Sequence, residues 1–367
     1  MRVMVVFGTR PEAIKMAPLV KELQRRGDAI RPIVCVTAQH RDMLDQVLGV
    51  FGIEPDHDLD LMRPDQTLPD LTARVLQETT RVLQLEQPDV VLVQGDTTTA
   101  MATALAAFYQ RIPVGHVEAG LRTDNRYYPF PEEINRRLVT PIASFHFAPT
   151  QTALDALHAS GVAAGEAFLT GNTVVDALLH IIEGTAAPEA SYPAPGRRLV
   201  LVTAHRRENF GEPLRAICRA VRRVSVAVTD VDIVYPVHPN PNVAAVAREE
   251  LDGFERVHLV PPLDYLEFVH LLNRSSIVLT DSGGVQEEAP ALGKPVLVLR
   301  NETERPEGVA AGVAELVGPN EEAIVQRSVA LLSDPAEYAR MSQARSLYGD
   351  GTASQQIAGI ILERLGA

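Results

Sequence analysis

Cysteine is nearly absent from this chain: Cys35 and Cys218 are the only two, far apart and without metal-ligand spacing. That excludes a disulfide scaffold and a cysteine-built metal site, and it fits two reduced, buried thiols in a cytosolic protein. Positive charge is also scarce, with 34 Lys and Arg against 47 Asp and Glu, a net charge of −13. A surface of that sign repels nucleic acid and anionic membrane, so neither is an expected partner. A small anionic ligand stays open, because a local arginine cluster can reverse the field inside a cleft. No apolar run approaches the roughly 20 residues that span a bilayer. The opening apolar stretch stops at Gly8-Thr9-Arg10-Pro11-Glu12, too short for a secretory signal, so a cytoplasmic location is expected. Also missing is Gly-x-Gly-x-x-Gly after the first strand, the dinucleotide fingerprint. No nicotinamide, other cofactor or metal is therefore expected.

What is present is an alternation of short apolar runs with amphipathic stretches, the pattern of stacked βαβ units. The runs are 3–7, 33–37, 90–94, 114–118 and 145–148, then 199–203, 233–237, 257–260, 277–280, 296–299 and 314–317. Between the early runs, 13–24 repeats Ile14, Leu19 and Leu23 at helical spacing, and 71–85 does likewise. At 367 residues the chain exceeds what one core usually holds. Two successive sets of runs imply two doubly wound, Rossmann-like α/β domains rather than one closed barrel. The stretch 184–198, with Pro188, Pro193, Pro195 and Gly196, reads as a linker, while Thr170-Gly171-Asn172 marks an earlier boundary. We place the first domain at 1–171 and the second at 172–351. The last helix, 355–365, reads as capped at Gly351-Thr352-Ala353-Ser354, with Ile357, Ile361 and Leu365 on one face.

Parallel-sheet enzymes gather their ligand groups at the carboxyl ends of strands. After the first run, Pro11 suits a first helical turn whose amides favour an anion, with Arg10 and Lys15 adding charge. A plain strand-to-helix turn with a solvated Arg10 is the alternative. Asp96, between Gln94-Gly95 and Thr97-Thr98-Thr99, is either an acid–base group or the cap of the next helix. Glu118 ends a buried run and needs a partner, and a structural ion pair with Arg122 is one candidate. Glu132 and Glu133 either complement a helix dipole or bring a further carboxylate to the site. His205 leads Arg206-Arg207-Glu208-Asn209; neighbouring arginines should depress its pKa, and a bound diphosphate should reverse that. His116 and His238 read first as satisfying backbone groups.

Asp281-Ser282-Gly283-Gly284-Val285-Gln286-Glu287-Glu288 is the sharpest anion signal, since small residues at a helix start let backbone amides close on phosphate. Glu288 could then reach a ribose hydroxyl pair, and Arg305 would stand beside the cradle. A chance Ser-Gly-Gly turn is the competing reading. Carboxylates, a histidine and guanidiniums at so many strand ends suggest proton transfer on a phosphorylated substrate.

In combination these motifs resemble the non-hydrolysing UDP-N-acetylglucosamine 2-epimerases, over essentially the whole chain. The resemblance is carried by Gly8-Thr9-Arg10-Pro11-Glu12-Ala13-Ile14-Lys15, Gly95-Asp96-Thr97-Thr98, Gly115-His116-Val117-Glu118-Ala119-Gly120-Leu121-Arg122, Thr203-Ala204-His205-Arg206-Arg207-Glu208-Asn209, 281–290 and Tyr348-Gly349-Asp350-Gly351. It implies a glycosyltransferase-B fold whose two domains face a central cleft, with 352–367 returning to the first domain, and a homodimer. It implies catalytic roles for Asp96, Glu118, Glu132 and His205, and substrate binding by Arg10, Lys15, Phe268, Ser282, Gly283, Gly284, Glu288 and Arg305. It further implies a second UDP-GlcNAc bound as activator by Gln39, His40 and His238. Asp42 and Asp65 depart from well-studied members, which have Gln and Arg there.

For that substrate the C2 proton is not adjacent to a carbonyl, so no side-chain base of near-neutral pKa should remove it directly. With no nicotinamide fingerprint, transient oxidation is disfavoured. The remaining route is anti elimination of UDP to 2-acetamidoglucal, then re-addition with the proton delivered to the other face. The product, UDP-N-acetylmannosamine, would supply cell-surface polysaccharide. A base, an acid and cations for the departing diphosphate are required. Asp96, Glu118 and Glu132 fit the first roles; Arg10, His205 and Arg305 fit the last. A hydrolysing epimerase releasing UDP and free N-acetylmannosamine, a glycosyltransferase of the same fold and an inactive nucleotide-sugar sensor are the alternatives.

Overall fold

The computed structural model describes residues 1–37, 41–61, 63, 66–123, 125–188, 192–343 and 346–366, with 41–43 described through their backbone. Its strands are β1 (Arg2–Phe7), β2 (Arg31–Val36), β3 (His57–Asp58), β4 (Val90–Gln94), β5 (Val114–Val117), β6 (Phe145–Ala148) and β7 (Ala167–Leu169), then β8 (Arg198–Thr203), β9 (Val231–Pro236), β10 (Val257–Val260), β11 (Ile277–Thr280), β12 (Val296–Val298) and β13 (Ala314–Leu316). The first seven form one sheet in the order β3-β2-β1-β4-β5-β6-β7, and the other six a second, β10-β9-β8-β11-β12-β13. Every pairing in both sheets is parallel. The expected pair of doubly wound sheets is what forms.

The sequence shows why. A parallel strand covered by helices on both faces can be apolar at every position, and Val3, Met4, Val5, Val6 and Phe7 are all fully buried. The edge strands β3 and β7 did not stand out as apolar runs, because they are two and three residues long and owe their strand form to pairing. No helix among the described residues is long and apolar enough to cross a membrane.

The chain divides into two compact units, Met1–His180 with Tyr348–Ala367, and Ile181–Leu347. Asn172, which local pattern assigned to the second domain, belongs to the first unit. Its amide nitrogen donates to the Tyr348 carbonyl at 2.6 Å, and its side chain reaches Glu118. Where the returning segment passes, a Cβ on Gly171 would lie 2.8 Å from the Gly349 Cα, and Gly171 has φ +85°, so glycine is required there twice over. The last helix, Ala353–Leu365, packs on helix Arg10–Arg25 of the first unit, burying Ile357 and Ile361. Its Thr352 cap makes no side-chain cap bond; Asp176 Oδ1 instead accepts from the Ser354 amide at 2.7 Å.

Candidate active site

Each sheet has one point where strand order reverses, between β1 and β4 in the first and between β8 and β11 in the second. Loops diverge there and leave a crevice at the strand ends. Arg10 and Asp96 follow β1 and β4, and His205 and Ser282 follow β8 and β11, whereas Glu118 follows β5, His238 follows β9, Arg305 follows β12, and Glu132 and Phe268 lie on helices.

In the first unit Thr9 caps helix Arg10–Arg25 in a reciprocal box with Glu12. Buried Glu12 also accepts from Thr97 Oγ1 at 2.6 Å, tying the loop after β1 to the loop after β4. Arg10 takes the first helical position and has no hydrogen-bond or ion-pair partner among the described residues. Thr97, not Asp96, caps the next helix, its side chain accepting from the Ala100 amide at 3.0 Å. The capping role considered for Asp96 is thereby taken. Its backbone carbonyl is held by Asn135 Nδ2 at 2.9 Å, and its carboxylate lies 3.7 Å from Arg136 Nη1.

Glu118 follows β5 and is 7% exposed. Lys15 Nζ donates to its two oxygens at 2.6 and 2.7 Å, Asn172 Nδ2 donates at 3.1 Å, and Gln94 Nε2 donates as well. Arg122, the expected partner, instead donates to the Leu121 carbonyl and to Thr140 Oγ1. The backbone of Glu118 has φ +60°, a left-handed conformation that costs a non-glycine residue on the order of 1 kcal/mol.

The acidic pair at 132–133 separates into two jobs. Glu133, 0% exposed, accepts from the Thr123 amide and pairs with Arg136 and Arg137. Glu132, at the first position of helix Glu132–Val139, has no such partner among the described residues, and its charge is felt at Asp96. His116 settles as a structural residue: its Nε2 lies 2.7 Å from the Gly95 carbonyl, and burial pushes its pKa down to about 4, so it is neutral.

Burial, reinforced by the charges of Glu118 and Glu132 and opposed by Arg136 and Lys15, raises Asp96 to about 6. A carboxylate whose folded pKa lies above its unfolded value binds extra protons in the folded state. It stabilises the fold fully below about pH 4 and loses that contribution as pH rises through about 6. We therefore expect Asp96→Asn to gain stability relative to the parent between pH 4 and 7, by up to about 2 kcal/mol. Thermal melts across that range check it; parallel stability curves would show that Asp96 titrates normally.

In the second unit the buried carboxylate of Asp281 organises the strand ends. Its Oδ2 accepts from the amides of His205 and Arg206 at 2.9 and 2.8 Å and from Asn209 Nδ2 at 3.0 Å, pinning the loop after β8 beside helix Gly283–Ala291. That helix begins at Ser282 with no side-chain cap bond. A Cβ on Gly284 would meet nothing within 4 Å, and one on Gly283 only Arg206 Nη2, at 3.9 Å. The start of this helix therefore combines open space with first-turn amides and the Arg206 guanidinium, groups whose chemistry suits an anion. His205 stacks on His238, ring centroids 5.5 Å apart, and its Nδ1 lies 3.9 Å from Asp281 Oδ1. Its pKa is lowered chiefly by burial; Asp281 pulls the other way, and His238 and Arg206 add to the lowering, so the arginine neighbour is the lesser cause.

Glu288 is buried on the same helix and accepts from Tyr265 Oη at 3.1 Å. Phe268 is half-buried on helix Tyr265–Arg274. Arg305 begins helix Pro306–Ala310 and pairs with Glu287, fixing it to the cradle helix. His238 is exposed, and its Nδ1 accepts from the Asn240 amide at 3.1 Å. Gln39 and His40 lie outside the described residues. Gln94, Asn172, Arg136 and Asn209 were missed by sequence reasoning, because an amide or guanidinium within a run carries no local sign of the carboxylate it will meet.

Fold and site together define a nucleotide-sugar class: an α/β protein of glycosyltransferase-B type with a carboxylate cluster at the strand ends of one sheet and a Ser-Gly-Gly helix start at those of the other. The family model for UDP-N-acetylglucosamine 2-epimerase matches residues 21–362, and the chain belongs to that family. UDP-N-acetylglucosamine 2-epimerase of Escherichia coli K12 is 51% identical over 366 residues, covering 97% of each chain. The crystal structure of UDP-GlcNAc 2-epimerase from Neisseria meningitidis, bound to UDP-GlcNAc, superposes with a TM-score of 0.92 at 46% identity, covering 99% of this chain and 100% of that one. The glycotransferase of kitacinnamycin, at 15% identity, a TM-score of 0.66 and 99% coverage of each chain, shares the fold alone.

Proposed function

We propose that this protein interconverts UDP-N-acetylglucosamine and UDP-N-acetylmannosamine without net hydrolysis, by anti elimination of UDP and re-addition to 2-acetamidoglucal. The observation that carries the reading is Glu118, buried on strained backbone among four donated hydrogen bonds, with Asp96 nearby raised to about 6. A group titrating near neutrality can accept and return a proton in one cycle. Glu132 supplies like charge that keeps Asp96 basic, and Arg10 and Lys15 hold the sugar end. The Ser282-Gly283-Gly284 cradle, with Arg206 and Arg305, holds the diphosphate, while His205 neutralises charge on it as the C1–O bond breaks. Glu288 and Phe268 hold the nucleoside. A second UDP-GlcNAc beside His238, with Gln39 and His40, would act as activator.

Incubation with UDP-GlcNAc in D2O, followed by NMR, tests this. UDP-ManNAc carrying deuterium at C2 is expected. Free sugar plus UDP would establish the hydrolysing reaction, unlabelled product would exclude elimination with solvent-exchanged return, and no turnover would leave an acceptor-dependent transferase or a sensor.

We further propose a homodimer whose face includes exposed Phe108 and Tyr109 on helix Thr98–Tyr109 and Ile134 and Leu138 on the adjoining helix Glu132–Val139. Light scattering should give twice the chain mass, falling to the monomer for Phe108→Asp with Leu138→Asp. A monomeric parent protein would refute it. We place the protein in the cytoplasm, where its product would feed polysaccharide synthesis.

A further inference from the structure

Three arginines of the first unit, Arg122, Arg136 and Arg137, surround the buried carboxylate of Glu133. Arg136 Nε lies 3.0 Å from Glu133 Oε2 and Arg137 Nε bonds its other oxygen, while Arg122 sits within the field of all three groups. Asp96, 3.7 Å from Arg136 Nη1, is the second carboxylate of the cluster. Within this cluster three guanidiniums share the two carboxylates of Glu133 and Asp96, and Glu166 lies by Arg122 and Arg137 as a third.

Two of the three arginines border a cavity. Arg122 and Arg137 line a space of about 490 Å³ with Thr140, His146, Ser160 and Glu166, a volume suited to a small ligand. Glu166 offsets part of the positive charge here but makes no ion pair among the described residues, so it occupies no donor of either arginine. Arg122 spends Nη1 on the Leu121 carbonyl and Nη2 on Thr140 Oγ1; Arg137 spends Nε on Glu133 and Nη2 on the Thr123 carbonyl. Nε of Arg122 and Nη1 of Arg137 have no acceptor among the described residues. Two guanidiniums held by protein contacts, each with a donor to spare, have the chemistry that binds an oxyanion.

We propose that this cavity binds a phosphate-type dianion through Arg122 and Arg137, and that its occupancy is felt at Asp96 through Glu133 and Arg136. The second half rests on the reading of Asp96 as a reaction-centre carboxylate. An anion on Arg137 weakens that guanidinium's hold on Glu133. Glu133 then draws more strongly on Arg136, and Arg136 less on Asp96.

Titration of the full chain with inorganic phosphate in the presence of saturating UDP, which occupies the cradle proposed in the second unit, followed by 31P NMR and calorimetry, is the test. Saturable binding with a dissociation constant of about 1 mM is expected. It should weaken at least about tenfold in Arg122→Gln and in Ser160→Glu, the latter an exposed position that brings a carboxylate to the cavity without touching the core. It should persist in His205→Asn, which alters the other anion-binding end. No binding, or binding that survives Arg122→Gln and Ser160→Glu, overturns the site. In a second arm, phosphate should change the epimerisation rate at saturating nucleotide sugar by at least about twofold in the parent and not in Ser160→Glu. An unchanged rate with phosphate bound overturns the coupling. Binding is read without turnover, so failure of the site and failure of the epimerase reading are distinguishable.

Discussion

Asp96→Asn is expected to lower turnover by about 10²- to 10⁴-fold, the range that positioned acid–base groups contribute, while UDP affinity changes less than about twofold. The separation follows from what Asp96 does not do. Thr97 caps the following helix, and Asn135 holds residue 96 by its backbone carbonyl, so both bonds survive the substitution. Arg136 keeps Glu133 at 3.0 Å and is not stranded when the Asp96 charge is removed. What is lost is the group raised to about 6. Single-turnover rates and calorimetric UDP binding, measured together, decide the matter. A tenfold loss of UDP affinity would make Asp96 a structural residue; retained turnover would place the proton on Glu118 or Glu132.

The second large effect belongs to Asp281→Ala. Asp281 is 0% exposed and receives three hydrogen bonds, two from backbone amides of the loop after β8. Truncation leaves all three donors without this acceptor, buried Asn209 Nδ2 among them. Stability should fall by on the order of 3 kcal/mol, since breaking charged hydrogen bonds of this kind costs more than breaking neutral ones. UDP binding should fall with it, because the same bonds keep His205 and Arg206 beside the cradle helix. Urea titration and UDP calorimetry at a temperature where the variant is folded test both halves. A variant as stable as the parent would mean that water replaces the carboxylate, and UDP binding unchanged in a folded variant would detach the cradle from this loop.

Much of the architecture was legible because buried parallel strands must be apolar throughout, and runs such as 90–94 and 277–280 have that property whatever lies around them. The candidate residues were legible for a related reason: a charge placed directly after such a run, as at Glu118 or Asp281, has to be paired or used. Partners were not. Arg122 lies four residues from Glu118 and goes elsewhere, while Lys15, Gln94 and Asn172 arrive from 103, 24 and 54 residues away. The boundary after Gly171 moved for the same reason, since the backbone bond from Asn172 to Tyr348 joins chain segments with no local relation.

By itself the sequence determined the two parallel sheets, the charged groups at their strand ends and the family, because these depend on residue type and local period. Only the tertiary structure decided which residue caps the helix after β4, which acid is a buried hub and which keeps no ion-pair partner among the described residues. Thr97 displaces Asp96 as the cap, Glu133 is consumed by arginines, and Glu118 is held on strained backbone by donors from three distant segments. Those outcomes are settled by distance, burial and shared charge, quantities that exist once the chain has closed on itself.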